Sequence, residues 1–278
     1  MSIYIDDEKD IQNSGISVVI PTYNRGHTIE ESIRSVLNQT LQPKEIIVVD
    51  DFSTDNTEEI IKKINAPNVI YVKNKMSKGA NGARNTGILL ATEKFIAFHD
   101  SDDIWFPEKL KYQMRTMIEK SCDLVFCNMV CGKIIVPQTT VDGDNIYDQL
   151  KAGNLISTQT ILIRAEIAKL NLFDEELMRL QDWDFVLSLL YKKIKIGYCD
   201  KVLVEQRLST DSITNKNKLL DAYKHILKKH PEIANKGYNN KIYSLSLAEK
   251  KTIKSQIELL ILKLFRKFKS KNKRLYES

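Results

Sequence analysis

The chain has little of what a membrane, secreted or disulfide-stapled protein is built from. No apolar run approaches the roughly 20 residues that cross a bilayer; the longest candidate, around Leu259–Phe265, is broken by Lys263. The N-terminal stretch MSIYIDDEKDIQNSG is polar and acidic where an export signal is basic and then apolar, so a cytoplasmic protein is expected. Four cysteines (Cys122, Cys127, Cys131, Cys199) form no CxxC pair and have no histidine at zinc-finger spacing, which excludes that class and predicts free thiols in the core. Only 10 Gly and 6 Pro occur, beside 42% hydrophobic and 28% charged residues, which excludes fibrous and disordered classes. A chain of 278 residues can bury a core without staples.

Two nucleotide-binding signatures are also missing. The loop after the first apolar run reads PTYNRG rather than GxGxxG, and GxxxxGK[ST] occurs nowhere, which disfavours a classical dehydrogenase and a P-loop NTPase. The net charge of +6 is unevenly spread: residues 249–278 hold ten Lys/Arg against three acids, a surplus of +7, so the rest of the chain sums to −1. A nucleic-acid role for the main body therefore has no electrostatic support.

What is present is an alternation of short β-branched runs with helical patterns. Ile16–Ile20 reads as a buried strand stopping at Pro21, Glu45–Val49 as a second, Val69–Val72 as a third and Phe95–Phe98 as a fourth. Between them lie a helix from Thr28 to Gln39, with Thr28 and Glu31 in capping-box spacing, a helix carrying Ile60, Ile61 and Ile64 behind Ser53 and Thr54 as N-caps, and a Gly-punctuated helix over Gly79–Ala91. Pro107–Lys120 follows as a helix. Beyond Cys122 the alternation weakens: Leu124–Val130, Ile134–Val136, Thr158–Ile163 and Ile196–Val204 are strand-like, and Trp183–Tyr191 is an amphipathic helix. The fold class is α/β, a mixed and mostly parallel sheet with helices on both faces. Ligands of such sheets sit beyond the carboxyl ends of the strands, where Pro21-Thr22-Tyr23-Asn24, Asp50-Asp51 and His99-Asp100-Ser101-Asp102-Asp103 converge.

Asp100, Asp102 and Asp103 repel one another unless a cation or donors sit among them, and hard divalent cations favour oxygen ligands. The bland alternative is a solvated acidic turn. Asp182, in Gln181-Asp182-Trp183-Asp184-Phe185, is either a helix N-cap or a general base. Trp105, Trp183 and Tyr23 are either aromatic platforms or core, and His99 is read as hydrogen-bonded structure.

Together these segments resemble the family 2 glycosyltransferases, inverting enzymes of the GT-A fold. The resemblance rests on VVIPTYNR (Val18–Arg25), EIIVVDDFSTD (Glu45–Asp55), GANGARNTG (Gly79–Gly87), FIAFHDSDD (Phe95–Asp103), Pro107-Glu108-Lys109-Leu110, and Phe173–Leu177 followed by QDWDF (Gln181–Phe185). It covers roughly residues 16–210 and implies a GT-A catalytic domain over 16–214; the polar segment over 1–15 and the helical, Lys-rich extension expected over 215–278 fall outside it. It further implies that Pro21, Thr22 and Tyr23 line the base and ribose of a nucleotide, that Asp51 accepts a hydrogen bond from the base, most often uracil, and that Arg84 faces the nucleotide. Asp100 and Asp102 form the DXD-like pair, Asp100 on the nucleotide side, with Asp102 and Asp103 at a Mg²⁺ or Mn²⁺. Asp182 matches the catalytic aspartate, although Gln181 replaces the usual Glu before it, and Ser209 and Thr210 stand where many relatives place a His.

The implied activity is metal-dependent transfer of a sugar from a UDP-linked donor to a glycan or lipid-linked hydroxyl in surface polysaccharide assembly. A sugar-nucleotide nucleotidyltransferase and a non-catalytic nucleotide-sugar-binding protein are the alternatives. In the tail, Ile253, Ile257, Leu260, Ile261, Leu264, Phe265 and Phe268 share one helical face flanked by lysines and arginines. That face suits either an anionic membrane surface, peripheral on the inner face of the cell membrane, or packing on the protein itself.

Overall fold

Strands rich in Ile and Val form where both faces of a sheet are covered, and the first three apolar runs do so in order. In the computed structural model, which describes residues 11, 12, 14–207 and 216–234, β1 (Ile16–Thr22) and β2 (Glu45–Asp50) are buried along their whole length and β3 (Val69–Lys73) pairs parallel with β2. Helices α1 (Ile29–Leu37), α2 (Thr57–Lys63) and α3 (Ala80–Leu90) connect them to one another and to β4 (Phe95–Phe98). Then come β5 (Ile104–Trp105), α4 (Lys109–Glu119), β6 (Leu124–Cys131), β7 (Ile134–Val136), α5 (Ile146–Ala152), a 3-10 turn (Thr158–Thr160) and β8 (Ile161–Arg164). The unit closes with α6 (Ala165–Lys169), α7 (Gln181–Leu190) and β9 (Ile196–Gln206).

The strand order is β3-β2-β1-β4-β8-β6-β9-β5, with β7 paired to β6. Parallel pairing holds for β3-β2-β1-β4 and for β6-β9, whereas β8 runs antiparallel to both β4 and β6. Order reverses between β1 and β4, and the crevice at their carboxyl ends is where an α/β sheet accepts a ligand. One sheet face packs Val18, Ile20, Ile46 and Val48 against Ile29 and Ile33 of α1 and Leu110 and Met114 of α4. The other packs Val19, Ile47 and Phe98 against Ala83 and Ile88 of α3 and Phe185 and Val186 of α7. A methyl group on Gly87 would overlap the Val19 side chain, so glycine lets α3 lie close on β1. Phe98 meets Phe173 and Phe185 edge-on at 5.3 and 6.1 Å, and Phe173 stacks on Phe185 at 4.3 Å.

Several local expectations are corrected. β1 continues through Pro21, which pairs with Val49, because β4 has left the ladder after Val19 and no N–H is needed on that side. Thr28 precedes α1 but its hydroxyl makes no cap bond; the turn is instead closed by the Thr28 and Ile29 N–H groups on the Arg25 carbonyl. α2 begins after Asn56, since Ser53 is drawn back to Asp50. Thr158–Thr160 is a 3-10 turn rather than strand, its Thr160 hydroxyl and N–H both folded onto the Ser157 carbonyl. Asp182 does not cap α7, which starts one residue earlier, after Leu180 in the left-handed region at φ 60°. Cys122, Cys127 and Cys199 are buried free thiols and Cys131 is half-buried.

The chain divides into two units, Met1–Ser212 and Ile213–Ser278. The second holds α8 (Lys216–Lys229) and a short turn at Pro231–Ile233. The expected tail helix around Ile253–Phe268, the first ten residues, Ser209 and Thr210 lie outside the described residues. Among the described residues no helix is long and apolar enough to cross a membrane.

Candidate active site

The loops after β1 and β2 are latched by short polar side chains. The Asn24 N–H donates to Ser53 Oγ at 2.8 Å, the Thr54 N–H returns to Asn24 Oδ1 at 2.8 Å, and the Arg25 N–H reaches Thr57 Oγ1 at 2.8 Å. Asp50 is fully buried. Burial alone would raise its pKa, yet bonds from Lys73 (2.6 Å), Ser53 and Tyr71 outweigh that and hold it below the usual carboxylate value. Asp51 is buried as well: its N–H meets the Thr22 carbonyl at 2.8 Å, Oδ1 accepts from Asn74 Nδ2 at 2.7 Å, and Oδ2 accepts the Gly79 N–H at 2.8 Å. It therefore ties β2 to the start of α3, where Gly79 takes φ 127°, a conformation open to glycine. Each oxygen keeps a second lone pair for a ligand. Tyr23, 44% exposed, is not core; its ring lies 5.3 Å below the Lys78 ammonium. Pro21 and Thr22 are buried at the end of β1, and Thr22 Oγ1 has no partner among the described residues.

The acidic cluster follows β4. His99 is completely buried, its Nε2 2.9 Å from Ser32 Oγ and its ring 4.6 Å from Trp105; burial drives its pKa down to about 3, so it is neutral and structural. Asp100 Oδ1 accepts from the Arg84 guanidinium at 2.8 Å, and Asp102 Oδ2 lies 3.3 Å from that of Arg25. Burial and the neighbouring Asp100 raise the Asp102 pKa. Asp103 is pushed to about 8, first by burial and then by Asp100 and Asp102. Its Oδ1 accepts the Arg207 N–H at 3.1 Å, while its buried Oδ2 has no partner among the described residues. Arg84 and Arg25 pair with Asp100 and Asp102, no ion pair reaches Asp103 among the described residues, and its orphaned buried oxygen fits the hard oxygen-ligand chemistry of a divalent cation.

Arg84, 4% exposed, joins this cluster to the later half of the chain. It is held by Asn81 Oδ1 at 3.2 Å and lies 5.7 Å from the Phe173 ring centroid. Burial raises the Asp182 carboxyl to about 6, against bonds from the Trp183 N–H and Asn154 and against the charge of Arg84. Arg84 bonds Asp100 and Asn81, and the Asn81 amide holds the Leu177 carbonyl in the segment that leads into α7. Trp105 and Trp183 are both 2% exposed; Trp105 packs under Lys109, and Trp183 Nε1 donates to the Leu150 carbonyl at 2.6 Å. Neither is a sugar platform.

Two residues that sequence reasoning passed over complete the link. Asn81 Nδ2 donates to the carbonyls of Asp174 (2.8 Å) and Leu177 (2.7 Å). Asn85 clamps Phe173 through its N–H (2.8 Å) and carbonyl (2.9 Å) and reaches Glu175 at 2.8 Å. The sole signal was their spacing of four in GANGARNTG, which places both on one side of a helix. A cavity of about 200 Å³ lies between this helix start and α7, lined by Lys78, Asn81, Glu175, Met178 and Gln181.

Beyond the carboxyl ends of β1 and β4 the clustered carboxylates stand at the switch point where a mixed α/β sheet takes its ligand, the architecture of an α/β enzyme. Residues 17–164 match the family described as "Glycosyl transferase family 2". The chain is 34% identical over 208 residues to the Escherichia coli UDP-Glc:alpha-D-GlcNAc-diphosphoundecaprenol beta-1,3-glucosyltransferase WfgD, covering 72% of this chain and 79% of that one. It is 31% identical over 213 residues to the putative teichuronic acid biosynthesis glycosyltransferase TuaG of Bacillus subtilis (strain 168), covering 72% and 81%. The fold is shared with S. aureus TarS 1-349 in complex with UDP-GlcNAc, at TM-score 0.67 and 22% identity over 89% of this chain and 79% of that one. The chain belongs to glycosyl transferase family 2 and is a glycosyltransferase.

Proposed function

We propose that the chain transfers a sugar, with inversion, from a UDP-linked donor to a hydroxyl of a lipid-linked saccharide during polysaccharide assembly. WfgD is named for a UDP-glucose donor and a diphosphoundecaprenol-linked acceptor, TuaG for teichuronic acid biosynthesis, and TarS binds UDP-GlcNAc. The observation that supports the reading is Arg84, bonded to Asp100 and to Asn81, whose amide in turn holds the Leu177 carbonyl ahead of Asp182.

The residues take these roles. Tyr23 and Asp51 receive the base, and Pro21 and Thr22 shape the floor beneath it. Asp102 and Asp103 would hold Mg²⁺ or Mn²⁺, with Asp100 and Arg84 on the nucleotide side. When bound there, the cation supplies charge neutralisation for a diphosphate leaving group. Asp182 removes the proton of the acceptor hydroxyl as that oxygen attacks the anomeric carbon from the face opposite the diphosphate. With a pKa of about 6, Asp182 is ionised at neutral pH yet basic enough to take a proton. The reading divides residues 16–214, as catalytic domain, from 215–278.

The test is release of UDP from UDP-glucose and from UDP-GlcNAc, with and without Mn²⁺, in the presence of a synthetic GlcNAc-diphospholipid. The reading requires metal-dependent turnover that Asp182→Asn and Asp102→Ala abolish. Full activity in Asp182→Asn overturns it.

A further inference from the structure

Besides the contact of its own N–H, the Asp182 carboxyl receives two hydrogen bonds from neighbours, and both end on the same oxygen. The Trp183 N–H and Asn154 Nδ2 each donate to Oδ1 at 2.9 Å, and neither reaches Oδ2. The orientation of the Asn154 amide is not arbitrary: its Oδ1 accepts the Ile156 N–H at 3.3 Å, so the NH₂ end is the one turned to Asp182. The backbone carrying Asn154 is fixed on either side. The carbonyl of buried Leu150 accepts the Trp183 indole N–H, and Ile156 is buried in the core beyond. The segment after α5 is thus docked on the first turn of α7 by the residue next to Asp182.

We infer that Asn154 is a positioning residue: its amide occupies Oδ1, leaves Oδ2 as the oxygen offered to the acceptor hydroxyl, and favours the ionised carboxylate. The inference rests on Asp182 acting as the base. Arg84, on α3, is the charged group whose field acts on this carboxyl; Asn154 is neutral and acts through its hydrogen bond alone. A donor to a carboxylate stabilises the charged form, so losing it moves the titration upward, whereas a purely structural loop residue would leave the titration in place.

The full chain, labelled with ¹³C at aspartate carboxyls, gives the test by NMR, with the resonance missing from Asp182→Asn assigning Asp182. The midpoint, near 6 in the wild type, rises by roughly half to one pH unit in Asn154→Ala. Asn154→Asp keeps the size of the side chain and its bond from Ile156, replaces the donor by a second carboxyl, and raises the midpoint at least as far. In transfer from UDP-glucose to a GlcNAc-diphospholipid, kcat falls roughly 10- to 100-fold with KM for UDP-glucose unchanged, and the acid limb of the pH profile moves with the midpoint. A midpoint unmoved in both folded variants overturns the role of Asn154 and leaves the base assignment standing. A midpoint that moves while the acid limb stays overturns the positioning role together with Asp182 as base.

Discussion

The two halves of the sheet solve the same problem differently. From β1 to β4 the chain winds βαβαβαβ, its first two strands wholly buried, and the polar residues at the strand ends are tied by bonds to neighbouring loops, as in Asn24 with Ser53 and Asp51 with Gly79. From β5 to β9 strands of two to eleven residues pair in mixed senses, β6 and β9 slip register at Cys127–Met129, and the site is assembled by contacts between residues 88 to 96 apart, as in Asn85 with Phe173 and Asn81 with Leu177. On the proposed reading the first half cradles the nucleotide through local geometry and the second brings the base to it, so the chemistry depends on whatever holds α7 against α3.

That contrast is broken most sharply at Asp182. Asp182→Asn is expected to lower transfer by about 10²–10⁴-fold while calorimetric UDP affinity stays at the wild-type value; loss of UDP binding instead would mean that the two halves are not separable. Next in size, Phe185→Ala removes a ring stacked on Phe173 and abutting Phe98, and should cost about 3–5 kcal/mol in urea unfolding. Asn85→Ala leaves the buried Phe173 N–H without its partner, which costs about 1–3 kcal/mol, and should lower kcat with little change in UDP affinity. The acid limb of the wild-type rate profile sharpens the comparison further. Asp182 loses its ability to accept a proton as pH falls through about 6, so transfer should fall tenfold per pH unit below that value while UDP binding follows a different curve. Smallest, Lys63→Ala removes a solvent-exposed pair with Glu59 on α2 and should change stability by no more than about 0.5 kcal/mol.

The same division decides what the sequence disclosed. β1, β2, β4 and α3 were legible because continuous β-branched runs and a Gly-punctuated helix are local patterns. β5 has two residues, α5 and α6 seven and five, and each is stabilised by what it packs on rather than by its own periodicity. Capping was misread at Thr28, Ser53 and Thr54 because a hydroxyl has several backbone and carboxylate partners in reach, and the winning one is set by tertiary structure. In the site, Asp51, Arg84, the acidic cluster and Asp182 stood out as charged residues at strand ends or in a matched motif. Asn81, Asn85 and Asn154 did not, since an amide carries no charge pattern and their partners lie far along the chain.

The most direct test of the account is a crystal structure of the full chain with Mn²⁺ and UDP. It should show the ion against Asp102 and Asp103, the uracil beside Tyr23 and Asp51, and Asp182 facing the open side of the diphosphate. Uracil bound away from Tyr23 and Asp51, or Asp182 turned from the diphosphate toward the opposite face of the sheet, would contradict it.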